Sequence, residues 1–379
     1  MPHTPEQVQI PREAFYSEKN TILFDESAGK ISGEMIMAYP PGIPVITPGE
    51  RITQEIINYI KDLKDAKLHV QGMQDPELKY INVIEEEDAI YLYTEKMKSK
   101  MFGVPMNLGA NKSGIEFGID TLCEEYPETF DEIEVIDIIK QKENFNEQNL
   151  KYKNTILDTC ERLASSVNEA VKDGYRPIII GGDHSIALGS IAGVSLEKEI
   201  GVVWIDAHGD MNTDESTITG NIHGMPLALL QGIGDRDLAN CFYNGKKIDS
   251  KNVVILGARD LDFKEREIIE ELGVKVIYHD EVLQKGLDRC LEEIQDYLKI
   301  DNLHISFDVD SVNPELAPGV STPVRNGFTT DEVFDMFKFF FKNYYVTSVD
   351  IVEFNPVNDK NNKTLDFVNE LTEYVVNPD

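Results

Sequence analysis

Asp206-Ala207-His208-Gly209-Asp210 places three metal-ligand side chains at alternate positions. In an extended strand alternate residues share a face, so all three would project together. The run before them, Gly201-Val202-Val203-Trp204-Ile205, is apolar and β-prone, as a buried parallel strand is. The two acids and the imidazole would therefore emerge at the carboxyl end of a buried strand. Open α/β sheets bind ligands at that edge. Without a cation among them, such groups would repel and desolvate one another.

Two further segments repeat the design. Ile178-Ile179-Ile180-Gly181-Gly182-Asp183-His184-Ser185 ends a strand in glycines that permit a tight turn, from which His184 would emerge. Ile305-Ser306-Phe307-Asp308-Val309-Asp310 puts two more carboxylates on one strand face. Together the three segments supply His184, His208, Asp206, Asp210, Asp308 and Asp310. Six protein ligands with bridging carboxylates suit two ions. The set is rich in oxygen, carries some imidazole and has no thiolate, which points to manganese or a similar divalent ion before zinc. Two ions about 3.5–4 Å apart can share and deprotonate one water at neutral pH. The implied reaction is attack of that hydroxide on an electrophilic carbon or phosphorus.

Strands and helices must bring these segments to one place. From about residue 91 onward β and α patterns alternate. Strand candidates are Met101–Pro105, Pro177–Ile180, Val202–Ile205, Val253–Leu256, Val274–Tyr278, His304–Phe307 and Val346–Val352. A helix carrying Ile156, Cys160, Leu163, Val167 and Ala170 on one face should end at Gly174. This alternation predicts a three-layer α/β/α unit, a mainly parallel sheet with helices on both faces. Residues 1–95 read differently, as a small α+β domain preceding a catalytic domain over 96–379. Tyr39–Pro44 and Pro48–Arg51 are turns around a short strand, and Thr53 should cap a helix bearing Ile56, Ile57, Ile60 and Leu63. A strand over Tyr80–Ile84 and an acidic turn over Glu85–Asp88 close the segment.

Composition narrows the partners. The net charge is −32, from 68 acidic and 36 basic residues. That disfavours nucleic acid and anionic membrane, which both attract a positive field. No stretch approaches 18 apolar residues, and the N-terminus lacks a basic region followed by an apolar run, so neither a membrane span nor a signal peptide is expected. Cys123, Cys160, Cys241 and Cys290 show no CxxC spacing and read as reduced thiols of a cytoplasmic protein.

The blocks Gly181–Ser185, Asp206–Asp210, Gly220-Asn221-Ile222-His223-Gly224, Ser306–Asp310, Ala317–Pro323 and Asp350–Pro356 resemble, in order and spacing, the signatures of the arginase/agmatinase (ureohydrolase) family. The resemblance implies the ureohydrolase fold, two manganese ions per subunit and hydrolysis of a guanidinium group with release of urea. It implies that His184, Asp206, Asp210 and Asp308 hold one ion. His208, Asp206, Asp308 and Asp310 would hold the other, with Asp206 and Asp308 bridging. It places Asp210 among the catalytic residues as well, makes His223 a proton shuttle and Glu353 the acid that holds the guanidinium. Family members form trimers or hexamers, so a homo-oligomer is expected.

Substrate choice turns on the α-carboxylate, which arginine has and agmatine lacks. Asn212, Thr217 and Thr219 fall at the carboxylate-contacting positions of the arginase loop, Asp262 at the α-amine position and Thr322 in the pocket. L-arginine is therefore expected, with agmatine or another guanidino compound as the alternative. A non-catalytic arginine-binding or assembly protein is the rival from another class, against which the intact six ligands and His223 argue. Ser311-Val312-Asn313, Asp214 and Glu215 depart from the family pattern. Residues 10–85 resemble the C-terminal part of ornithine/lysine/arginine decarboxylases. That family's cofactor domain is missing, so neither pyridoxal phosphate nor decarboxylation is expected. The segment reads as an assembly appendage or an effector-docking module.

Overall fold

The computed structural model describes residues 5, 7, 8, 14, 17, 19–39, 43–66, 69–84, 97–143 and 149–378. Two compact units divide the chain after Lys96. The acidic turn expected over 85–88 and the Pro-rich turn at 40–42 lie outside the described residues.

The first unit contains two three-stranded antiparallel sheets. Strands β1 (Asn20–Leu23), β2 (Ile31–Ser32) and β6 (Tyr80–Ile84) form one, in the order β1-β6-β2. Strands β3 (Ile36–Tyr39), β4 (Ile43–Ile46) and β5 (His69–Gln71) form the other, in the order β4-β3-β5. The helix Gln54–Asp65 begins where the sequence places it, with the Thr53 hydroxyl accepting from Ile56 N. Its Ile56, Ile57 and Ile60 join Phe24, Ile36 and Ile81 in a small core. The expectation read one strand on each side of that helix and missed the rest, because short half-exposed strands carry little periodic signal.

The second unit is built on eight strands. They are β7 (Ser99–Gly103), β8 (Glu134–Val135), β9 (Arg176–Ile180), β10 (Gly201–Ile205), β11 (Val253–Ala258), β12 (Lys275–Tyr278), β13 (Asn302–Asp308) and β14 (Tyr345–Val352). Their order is β12-β11-β10-β13-β14-β9-β7-β8, and every pairing is parallel. Alternate residues of the central strands enter opposite cores. Ile178, Val203 and Val254 pack with the helices Leu287–Tyr297, Thr330–Asn343 and Lys363–Val376. Ile179, Val202, Trp204 and Val253 pack with the helix Lys153–Lys172. The sheet is thus covered on both faces, as its continuous apolar strands require. All four cysteines are free, and no described helix is long and apolar enough to cross a membrane.

The helix Lys153–Lys172 meets Ala187–Ser195 at backbone range. A Cβ on Gly193 would lie 2.6 Å from the Ala164 carbonyl oxygen and one on Gly189 2.6 Å from that of Cys160. Gly193→Ala should therefore lower the melting temperature by a few degrees. Alanine recovers about 1 kcal/mol of helix propensity, but overpacking against backbone costs about 1–3 kcal/mol. A thermal melt showing a rise would mean that the helices separate freely.

Candidate metal centre

Strand register sets the level of the ligands. Ile205 pairs with Phe307, Phe307 with Ile351, and Ile351 with Ile180. The residues that follow on four adjacent strands therefore leave the sheet side by side. They are Asp206 after β10, Asp308 at the end of β13, Glu353 after β14 and the Gly181–His184 turn after β9. Gly182 has φ +80°, and a Cβ there would stand 2.5 Å from the Val104 carbonyl oxygen. That turn drops His184 into a single 3₁₀ turn, His184–Ile186, facing the aspartates.

All six expected ligands come together. His184 Nδ1 lies 3.1 Å from Asp206 Oδ2, 3.1 Å from Asp210 Oδ2 and 3.3 Å from Asp308 Oδ2. His208 Nδ1 lies 3.4 Å from Asp206 Oδ1 and 3.2 Å from Asp310 Oδ2. Two triads have ligand geometry, His184–Asp206–Asp210 and Asp206–His208–Asp310, and Asp206 belongs to both. Among them Asp206 is the most enclosed, and its two oxygens face different histidines.

The electrostatics suit cations. Burial raises the pKa of Asp308, and Asp310 and Asp206 raise it further, to well above the carboxylate range. Burial and Asp206 push Asp210 up to about 6. Burial would depress the two histidines, but the surrounding aspartates hold both well above the imidazole range. His184 Nδ1 and Asp310 Oδ1 are buried without a hydrogen-bond partner. Orphaned ligand atoms of this kind among several carboxylates fit a pair of divalent ions.

Surrounding groups hold the ligands in place. His184 stacks on Trp204 at 3.9 Å, and Trp204 Nε1 donates to Asp206 Oδ2 at 2.9 Å. His184 Nε2 meets Ser306 Oγ at 2.9 Å. Ser306 and Ser190 both donate to Asp350 Oδ2, which also meets His304 Nε2 at 3.1 Å. Asp210 and Glu353 have φ of +48° and +66°. Non-glycine residues adopt such angles at a cost of order 1–3 kcal/mol, and they cluster at functional sites.

A cavity of about 240 Å³ opens on the cluster. His223, Asn212, Asp262 and Thr322 line it. Asp260 and Glu265, which sequence reasoning did not single out, line it too. The spacing Asp262-x-x-Glu265 was a readable signal, because it forms a capping box on the helix Phe263–Leu272. Glu265 also accepts from Met211 N, and Asp262 Oδ2 from Asn212 Nδ2 at 2.9 Å. Burial and Asp210 push Glu265 up to about 7. Thr217 and Thr219 do not line the cavity. Their hydroxyls accept from Gly220 N and Asn221 N in the turn beside it. Glu353 is buried, its Oε1 accepting from His223 Nδ1 at 3.0 Å and from His184 N at 3.1 Å, with Oε2 unpartnered.

Comparison with known proteins agrees with this geometry. Residues 98–376 match the profile of the arginase family, and residues 2–95 that of the C-terminal domain of Orn/Lys/Arg decarboxylases. The chain is 39% identical over 283 residues to the arginase of Bacillus subtilis, covering 72% of this chain and 95% of that protein. It is 38% identical over 279 residues to the arginase of Bacillus caldovelox, covering 70% and 93%. The native crystal structure of the B. caldovelox arginase superposes with a TM-score of 0.69 at 35% identity, covering 75% of this chain and 99% of that one.

Two outcomes follow from the cluster. Asp308→Ala should bind fewer ions per chain by elemental analysis; full occupancy of both sites would remove Asp308 from the ligand set. In the metal-free protein, burial opposes the charge on His223, but Glu353 outweighs it and pushes the pKa up to about 9. A folded pKa above the unfolded ~6.5 stabilises below ~6.5, and that stabilisation is lost as pH rises through about 9. The stability advantage of metal-free wild type over His223→Asn should therefore shrink between pH 6.5 and 9.5. Melts with a constant difference would contradict the pairing.

Proposed function

The chain belongs to the arginase family, and from that premise we propose that it hydrolyses the guanidinium group of L-arginine to L-ornithine and urea. The observation that carries this reading is the pair of His/Asp triads that share the buried Asp206 and reach the cavity through His208, Asp210 and Asp310. We assign His184, Asp206, Asp210 and Asp308 to one ion and His208, Asp206, Asp308 and Asp310 to the other, with manganese the ion that the oxygen-rich donor set suits. When bound, such a pair would lower the pKa of water and so supply, near neutral pH, a hydroxide able to attack the guanidinium carbon.

The remaining work falls to side chains. Glu353 presents a buried carboxylate whose Oε2 has no protein partner, a match for a planar guanidinium. His223, anchored to Glu353 through Nδ1, keeps its other nitrogen for a proton and delivers it to the departing ornithine amine. Asp210 serves as both ligand and anchor at the cavity floor. Asp262 and Asn212 take the α-amine and α-carboxylate ends, while Thr217, Thr219 and Thr322 shape the loops around them.

Agmatine is the second reading. It is favoured by Asp260 and Asp262 in the cavity lining, which offer a cationic ligand more than they offer a carboxylate. We propose further that residues 1–95 form an accessory domain for assembly or effector docking. The protein would act in the cytoplasm as a homo-oligomer, a trimer or hexamer. The segment is an addition to a catalytic unit that already spans nearly the full length of its relatives.

Urea release from arginine and from agmatine, measured side by side on manganese-loaded protein, tests the substrate. Arginine should lead in kcat/KM by at least about 100-fold, since a site built for a polar group discriminates strongly against its absence. Preferential turnover of agmatine would reverse the assignment and leave the reaction type standing. His223→Asn should retain its metal and lose about 10²–10⁴-fold in kcat, the range for general acid–base groups; metal loss instead would make His223 a ligand.

A further inference from the structure

Arg259 stands beside the metal centre without belonging to its ligand set. It follows β11, and its guanidinium donates to four backbone carbonyls: Nε to Arg325 at 3.0 Å, Nη1 to Gly257 at 3.3 Å, and Nη2 to Asp310 at 2.8 Å and Val324 at 3.0 Å. The Asp310 carbonyl belongs to one of the assigned ligands. Val324 and Arg325 belong to the loop that carries Thr322, whose hydroxyl donates to Asp310 Oδ2 at 2.8 Å. Asp310 is thus held at its main chain by Arg259 and at its carboxylate by Thr322, and those two holders are tied to each other through the same guanidinium.

Arg259 carries its charge near Asp310, Asp206 and Asp308, but its hydrogen bonds make it a clamp as well. A cation present only to offset the aspartates would face their carboxylates, whereas Arg259 faces carbonyls on three separate segments. Only a planar fork with donors at fixed angles can span them. Gly327 makes room for it, since a Cβ there would lie 2.7 Å from Arg259 Nη2. The His184–Asp206–Asp210 triad receives no hydrogen bond from Arg259 among the described residues.

We propose that Arg259 is a positioning residue that sets the geometry of the Asp206–His208–Asp310 triad, and with it affinity for one of two divalent ions, without touching ion or substrate. The proposal rests on the binuclear reading of the site. Its test is calorimetric titration of metal-free protein with Mn²⁺, for wild type, Arg259→Lys, Arg259→Ala and Thr322→Val. Wild type should take up two ions in resolvable steps. Arg259→Lys, which keeps the charge and loses the fork, should leave one step unchanged and weaken the other by about 10–100-fold, the usual effect of losing an outer-shell partner. Thr322→Val should weaken the same step by a smaller factor. Metal-free melting temperatures should stay near wild type.

If Arg259→Lys binds both ions as wild type does, the clamp is not needed and the proposal fails. If both steps weaken equally together with the melting temperature, Arg259 is a general structural residue and the proposal fails equally. Should Arg259→Ala not fold, the lysine and valine variants still decide the matter. A wild type that takes up fewer than two ions overturns the binuclear reading itself.

Discussion

The meeting of Asp206, Asp210, Asp308 and Asp310 in a buried space is the constraint to which the catalytic unit answers. At an effective dielectric near 20, two unit charges about 4 Å apart interact by about 4 kcal/mol. Unaided, such a group escapes by binding protons, and the raised pKa values of Asp210 and Asp308 are that escape. The fold has to hold the carboxylates in place against it. An eight-stranded parallel sheet with a continuous apolar core on each face is stable enough to do so. Because the strands that carry the ligands, β10, β13 and β9, sit close together in that sheet with β14 between the last two, the repelling groups are fixed by backbone hydrogen bonding and not by one another.

Around that rigid edge, each ligand is oriented by a neighbour of a different kind. Trp204 covers the face of His184 and donates to Asp206. Ser306 takes the far nitrogen of His184 and passes the contact to Asp350, which Ser190 and His304 also engage. Outer partners of this type fix the tautomer and tilt of ligating histidines. Asp210 and Glu353 reach their positions through left-handed backbone, strain that the flanking sheet is stiff enough to sustain.

The parts legible in the sequence were those encoded locally. Each ligand segment joins an apolar run to its acids within ten residues, so strand, strand end and ligand could be read together. The same is true of the helix Lys153–Lys172, where Ile156, Cys160, Leu163 and Val167 repeat at helical spacing and all become core. The parts that were not legible depend on long-range contact. Asp260 and Glu265 reach the cavity only because the chain after β11 lies beside the loop after β10. Arg259 stands three residues before Asp262, but its acceptors Asp310, Val324 and Arg325 lie 51 to 66 residues away. In the first unit, two- to four-residue strands left the antiparallel sheets invisible while the capped helix between them was plain.

The two halves of the site differ in what holds them, and that difference explains why reaction type reads more clearly than substrate. The ligands sit on strand ends, where register allows no one-residue slip without turning a whole side-chain row over. The substrate-facing groups sit on loops joined by side-chain bonds. Asn212 bonds Asp262, Ser216 bonds Asn212, and Glu265 bonds the backbone at both Met211 and Asp262. Asp214 and Glu215, the acidic departures in this loop, therefore lie among side-chain contacts and not on the strand ends that fix the ligands.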